Sequence, residues 1–197
     1  PKNHHSLPSH ATKVFEGVRW EVHQWQQEQF DGSIKIFESI KRPDTVTIFP
    51  MIGDKIVIIE EEQPHWGRKS DSIIAGGIEG DEIEGDENIF DAARRELEEE
   101  TGMIFKDFFL VHVDQPSVDV HWHNFIFVAK NLIETREKKL DVGEKIETLQ
   151  ISFDELIAKA RQRAFFHRPA FIDEYIIKDN VEIFFDILHN PEKHSLL

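Results

Sequence analysis

Asn88-Ile89-Phe90-Asp91-Ala92-Ala93-Arg94-Arg95-Glu96-Leu97-Glu98-Glu99-Glu100-Thr101-Gly102 is the most informative stretch of the 197-residue chain. Ile89, Ala92, Ala93 and Leu97 recur at helical spacing, Asn88 is a suitable N-cap, and Gly102 stands where a helix ends. A helix over 88–101 turns by about 100° per residue, so Glu96, Glu99 and Glu100 share one face while Glu98 points to solvent. Three like charges within one turn repel, and more strongly once packing removes water, so this face needs positive charge beside it. Arg95, four residues before Glu99, is a candidate brace. A hard divalent cation held by carboxylate oxygens is another source of charge, and Mg2+ fits because it accepts a few carboxylates and keeps waters that a phosphate can displace. A solvated acidic helix face is the competing reading.

Upstream, apolar residues alternate across 14–40: Val18, Trp20 and Val22, then Trp25, and beyond Asp31-Gly32 Ile34 and Ile36. Period two around an Asp-Gly turn predicts an antiparallel hairpin, with Gln24, Gln26, Gln27 and Gln29 at its exposed positions. The β-branched runs 45–49 and 55–59, joined by a turn at Gly53-Asp54, predict two central strands. A short strand over 72–75 leads into Gly76-Gly77, and the glycine-rich, acidic stretch 76–87 reads as a loop. Beyond the helix come strands over 108–113 and 125–129, a charged loop over 134–145 and a strand over 146–151. Ser152 and Glu155 form a capping box that opens a helix to about residue 163, and a last helix spans 170–188. Strands first, a helix in the middle and helices last imply an α/β fold with helices on a mixed sheet. The expected organisation is a loose arm over 1–12, a β-hairpin extension over 13–42 and a main domain over 43–197. In the arm, His4 and His5 lack a third ligand that would define a metal site.

Lys and Arg number 23 against 38 Asp and Glu, and the net charge of −15 repels phosphate backbones and sets nucleic-acid binding aside. Cys is absent, which excludes disulfides, thiolate catalysis and thiolate metal sites. No apolar run approaches the roughly 18 residues that cross a bilayer, and the polar start is unlike a signal peptide, so a cytoplasmic protein without a membrane partner is expected.

The acidic helix sits in a longer pattern: a glycine-rich turn after a strand, Glu87, seven residues, Arg95-Glu96-Leu97, one residue, Glu99-Glu100, one residue, Gly102 and apolar Met103. This closely resembles the signature of the Nudix hydrolase family, G-x5-E-x7-R-E-U-x-E-E-x-G-U with U apolar, and every specified position from Glu87 to Met103 matches. One position departs. The family's first glycine falls on Asp81, and if Gly77 is its equivalent, nine residues rather than five precede Glu87. A four-residue insertion then leaves the loop register open, and with it any role for Gly77, Glu79 or Glu82. Residues 53–64, GDKIVIIEEEQP, followed by Ile74-Ala75-Gly76-Gly77, are similar to the core of ADP-ribose pyrophosphatases and related nucleoside-diphosphate-sugar hydrolases. The likeness spans about residues 14–160.

The resemblance implies a Nudix α/β/α sandwich with an N-terminal antiparallel extension through which two chains pair as a homodimer. It implies Mg2+-dependent hydrolysis, with Mn2+ as a substitute, of the pyrophosphate bond in a nucleotide-sugar substrate such as ADP-ribose. On this basis Glu96 and Glu100 are the principal metal ligands, Glu99 is a third ligand or their partner, and the backbone carbonyl of Ala75 is a further one. Glu87 and Arg95 would orient the cluster. Glu144, in the charged loop 141–147, is the candidate metal ligand or general base, with Glu147 second. Substrate-binding candidates are Gln63, Trp66 and Arg68: Arg68 with Lys69 would offset phosphate charge, and Trp66, Phe165 or Phe166 would stack on a base. His121 and His123, where related enzymes often carry a Pro-Gly turn, could meet phosphate or metal but are more often structural on such a strand. Two alternatives remain, a Nudix hydrolase of nucleoside triphosphates or dinucleoside polyphosphates and a nucleotide sensor that does not cleave. The intact Glu96, Glu99 and Glu100 weigh against a sensor.

Overall fold

Alternating apolar runs become strands throughout, and in the computed structural model the chain divides into two compact units, residues 1–44 with 115–123 and residues 45–114 with 124–197. The structure describes residues 7–81, 85–115, 119–140 and 142–197; His4, His5, Glu82, Pro116, Ser117 and Asp141 lie outside them. The strands are β1 (Thr12–Glu16), β2 (Glu21–Glu28), β3 (Ile34–Lys41), β4 (Thr45–Ile52), β5 (Lys55–Glu62), β6 (Lys69–Ser72), β7 (Ile74–Gly77), β8 (Gly80–Asp81), β9 (Gly85–Asp86), β10 (Met103–Asp114), β11 (Val120–His121), β12 (Asn124–Thr135) and β13 (Lys145–Ile151). The helices are α1 (Ile89–Thr101), α2 (Phe153–Arg161), α3 (Ala170–Ile172) and α4 (Val181–His189). Among the described residues no helix is long and apolar enough to cross a membrane.

The first unit is a sheet in the order β1-β2-β3-β11. The Asp31-Gly32 turn closes β2 on β3 as expected: Gly32 adopts φ 79°, and Ser33 N donates to Asp31 Oδ1 at 2.9 Å. Ile34 and Ile36 nevertheless stay 63% and 59% exposed, on the side of the sheet that also carries Gln26, while Trp25 pairs with Phe37 on the other side. Period two therefore marks strand conformation here without marking burial in the single chain. Arg42 lies over the rings of Trp20 and Trp122, 5.3 and 4.5 Å from their centroids. His121 pairs with Lys41 in the β11–β3 ladder, and the His123 N–H donates to Asp44 Oδ1 at 2.7 Å.

The second unit is a seven-stranded sheet in the order β10-β12-β4-β5-β13, with β7 beside β4 and β6 beside β5. β12 and β4 run parallel, Asn124 opposite Thr45, and the other ladders are antiparallel, so the sheet is mixed as expected. Alternation along β5 sends Ile56 and Ile58 into an apolar layer with α2, α3 and α4, and Val57 and Ile59 into one with Ala92, Ala93 and Leu97 of α1. The result is an α/β/α sandwich, in which each fully buried Leu, Ile or Phe contributes roughly 1.5–3 kcal/mol.

β10 and β12 extend beyond the expected 108–113 and 125–129, because their ladder runs on through exposed charged residues such as Glu134 opposite Ile104. The expected helix over 170–188 is instead three pieces, α3, a π-helical turn Asp173–Ile177, and α4. Asp179 turns left-handed at φ 62°, a conformation short polar side chains tolerate, and both halves still place Phe171, Ile176, Phe184 and Leu188 in one core.

Candidate active site

Local signals set the limits of α1. The Asn88 side chain accepts from Phe90 N at 2.9 Å, a cap that contributes about 1 kcal/mol. At the other end Gly102 adopts φ 71°, and its N–H donates to Glu98 O at 2.8 Å. The buried stripe Ala92, Ala93, Leu97 and Thr101 fixes the rotation of the helix. Glu98 then faces outward to Lys139, 3.0 Å away, while Glu96 lies against Gly76 of β7 and Glu99 against Arg95.

The preceding segment is a small hairpin rather than a plain loop. β8 pairs with β9, and the base closes through Glu87 N donating to Glu79 O at 2.7 Å. Helix α1 docks on Gly76 and Gly77. The Glu96 carboxyl lies so close to Gly76 that a Cβ there would stand 1.9 Å from Cδ and 2.1 Å from each oxygen. Gly77 O accepts from Arg95 Nη2 at 2.8 Å.

Arg95 is the hub of the cluster. Its Nε and Nη2 donate to the two oxygens of Glu87 at 3.1 and 2.9 Å, and Nη1 reaches Glu96 at 2.9 Å and Glu99 at 3.1 Å. These bonds hold the guanidinium's pKa above its ordinary value and pull Glu87 below the usual carboxylate range. Glu96 behaves differently: burial pushes its pKa up to about 6 even though Arg95 pulls it down.

Glu100 is the outlier. Burial, and then the charges of Glu96, Glu61, Glu144 and Glu99, raise its pKa well above the ordinary value. The residue as a whole is only partly buried, but Oε2 is shut off from solvent and has no hydrogen-bond partner. Among buried polar groups this is an exception that calls for a physical cause.

Glu61, on β5, completes the group and was not singled out from the sequence. It is buried, and it follows Val57 and Ile59 on the face toward α1. A carboxylate at an inward position of period two is the signal that marks it. Gln63 joins it to Glu144: Nε2 donates to Glu61 Oε1 at 2.6 Å and to Glu144 Oε1 at 3.1 Å. One amide nitrogen has two hydrogens, so it can serve two carboxylates at once, which the amide oxygen could not. The loop carrying Glu144 also meets this segment where Gly143, at φ 104°, abuts Pro64.

Other expected site residues lie elsewhere. Ala75 sits in β7 opposite Thr47, one residue before the Gly76–Glu96 contact. Glu147 is opposite Glu60 on the other face of the sheet, where Lys69 Nζ reaches both at 2.8 and 2.9 Å. Trp66 packs against Phe166 with centroids 4.0 Å apart and the rings tilted by 37°, Phe165 is buried, and Arg68 lines a cleft with Glu60 and Phe166. His121 and His123 belong to the first unit.

Among the described residues no three His, Asp or Glu side chains stand close enough together to hold a metal ion as they are, so the fit of a cation rests on the chemistry of the donors. Glu61, Glu96, Glu99, Glu100 and Glu144 supply oxygen donors only, and one of them carries a buried oxygen with no partner. A hard divalent cation fits that set.

Comparison with known proteins bears on the family and the fold. A family model described as the NUDIX domain matches residues 41–173. No curated protein matches the chain. Among solved structures the chain is similar to one described as an ADP compounds hydrolase, with a TM-score of 0.66 and 18% identity, over 92% of this chain and 94% of that one. At that identity the likeness bears on the fold alone.

Proposed function

The chain belongs to the Nudix family, and from that premise we propose that this pyrophosphohydrolase acts on ADP-ribose or a related nucleoside-diphosphate sugar in a Mg2+-dependent reaction. The observation that carries the reading is the partnerless, buried oxygen of Glu100 amid four other carboxylates. A folded chain keeps such a group at a cost in stability, and a bound cation would offset it.

Glu96, Glu99 and Glu100 would hold the ion, with the Ala75 carbonyl as a further donor. Bound there, Mg2+ would supply positive charge to the pyrophosphate oxygens and lower the pKa of a coordinated water. The protein's own groups do the remaining work. Arg95 braces Glu96 and Glu99 from the side of Gly77 and Glu87, so their oxygens are preorganised before substrate arrives. Gln63 holds Glu144 against the cluster, where its carboxylate takes the proton of the attacking water. As the water oxygen bonds to one phosphorus, the bridging P–O bond breaks and the other phosphate departs. Residues 53–64 with Ile74-Ala75-Gly76-Gly77 are similar to the core of ADP-ribose pyrophosphatases, and the similar solved structure is described as an ADP compounds hydrolase; both favour an ADP-linked substrate.

A panel of nucleoside-diphosphate sugars, dinucleotides and nucleoside triphosphates, assayed with Mg2+ for nucleoside monophosphate release, tests the proposal. ADP-ribose or a close relative should be turned over best; preferential triphosphate hydrolysis, or no hydrolysis of any member, would refute it. We also propose that the chain works as a homodimer through its first unit, where Phe15, Ile34, Ile36 and Phe37 are exposed on one small sheet. Sedimentation of the wild type and Ile36→Lys should give a dimer and a monomer respectively; a monomeric wild type would end this part.

A further inference from the structure

A cleft of about 390 Å3 opens beside β6 and the turn after α2, and Glu60, Arg68, Lys69, Asp71, Arg163 and Phe166 line it. Its volume is in the range of small-ligand sites. Glu60 and Glu61 are consecutive on β5 and point to opposite faces, so the cleft lies across the sheet from the α1 carboxylates.

The charges in the cleft do not cancel internally. Lys69 is committed to Glu60 and Glu147, and Asp71 to Lys159, whose Nζ is 2.5 Å from its carboxylate. Among the described residues, Arg68 and Arg163 have no carboxylate partner. Two unpaired guanidiniums in one cleft are notable in a chain with 38 acidic residues against 23 basic ones.

Arg163 also adopts φ 54°, where its backbone N–H donates to Ala160 O at 3.1 Å in the turn that ends α2. Glycine would fit that conformation with roughly 1–2 kcal/mol less strain. Beside Arg163, the Phe166 ring packs against Trp66 at a tilt of 37° yet remains 45% exposed, which leaves aromatic surface at the mouth of the cleft.

We propose that this cleft is a second ligand site, which binds a nucleoside monophosphate: the phosphate dianion between Arg68 and Arg163, and the base on Phe166. Guanidinium forks match phosphate oxygens in pairs, and a flat base can lie on an exposed ring whatever its hydrogen-bonding edge. Arg68 and Phe166, expected from the sequence to meet the hydrolysed substrate, serve this second site instead, and none of its groups belongs to the α1 cluster.

Titration calorimetry of the metal-free full chain with AMP, inorganic phosphate and adenosine tests it. AMP should bind one to one, phosphate more weakly and adenosine most weakly. Arg163→Gly, which relaxes the backbone and so should fold at least as stably, should weaken AMP by about tenfold or more. Phe166→Ala should weaken AMP but not phosphate, and Glu100→Gln should leave AMP binding unchanged. Hydrolysis, assayed separately with Mg2+, should proceed at the wild-type rate and KM in Arg163→Gly. Unaltered AMP binding by Arg163→Gly, no AMP binding by the wild type at millimolar concentration, or loss in Glu100→Gln instead would each overturn the proposal. So would a rise in KM that parallels the loss of AMP binding, since the cleft would then be part of the substrate path.

Discussion

Replacing Gly76 by alanine isolates the geometric demand that the acidic helix makes on the strand beneath it. The new Cβ would stand 1.9 Å from Glu96 Cδ, and ordinary contact begins at 3.4 Å, so the carboxyl must retreat by about 1.5 Å. It is the end of a flexible side chain, so the backbone need not move. The cost in stability is then mainly the weakened Arg95–Glu96 pair, at most about 1 kcal/mol for a partly exposed ion pair, or roughly 2–4 °C in Tm. Catalysis is more sensitive. Misplacing a catalytic group by about 1 Å costs on the order of 10²-fold, about 2.7 kcal/mol in the barrier. Gly76→Ala should therefore lose about two orders of magnitude in kcat while it melts within a few degrees of wild type. Gly77→Ala is the internal control, because a Cβ there meets nothing within 4 Å. Nucleoside monophosphate release and thermal unfolding, measured on the same preparations, give both numbers, and Mn2+ titration should rank the variants in the same order. If Gly76→Ala hydrolyses within threefold of wild type, Glu96 does not need its observed position and the ligand assignment fails.

Gln63→Leu keeps the side chain's bulk but leaves Glu61 and Glu144 without their shared donor, so kcat should fall by about tenfold or more with little change in KM; wild-type kcat would remove Gln63 from the mechanism. Gly102→Ala would force a φ of 71° on alanine and set its Cβ 2.1 Å from the Arg136 carbonyl oxygen. Urea unfolding should record a loss of more than about 1 kcal/mol, and a smaller loss would mean that the cap is not constrained. Glu100→Gln should lower turnover by orders of magnitude. It should also raise the Tm of the metal-free protein, because the folded-state pKa of Glu100 is raised and its charged form is a burden that grows with pH above the unfolded value. The gain should thus be larger at pH 8 than at pH 5, and a uniform or reversed difference would contradict the burial of that carboxylate.

Much of α1 is legible in the sequence because its signals are local: a capping Asn88, a left-handed Gly102 and a stripe of Ala92, Ala93 and Leu97 lie within fifteen residues. The Ser152–Glu155 capping box appears for the same reason. The hairpin at β8 and β9 does not, since two-residue strands are too short to display a period. Gln63 and Glu144 meet across 81 residues of chain, a separation at which no spacing rule operates. Glu61 was legible in principle but hidden among Glu60, Glu61 and Glu62, a run that reads as a solvated strand end unless each position is assigned to a face. The split of the last helix turns on Asp179 adopting a left-handed conformation, which composition permits without requiring.

The donors on the α1 side differ in how completely the protein satisfies them, and that gradient has chemical meaning. Glu87 has both oxygens on Arg95, Glu96 and Glu99 share what remains of that guanidinium, and Glu61 and Glu144 share one amide nitrogen. Glu100 has an oxygen that nothing serves. Bracing is thus complete at Glu87 and lacking at one buried oxygen of Glu100, as expected if the last increment of positive charge comes from outside the chain. All the donors are oxygens, and the chain has no thiol, so a hard cation is favoured over a thiophilic one. A bound ion would then stabilise the native state by mass action, about 2.7 kcal/mol at a hundredfold excess over Kd. The same carboxylate that lowers the stability of the metal-free fold would be the one through which metal restores it.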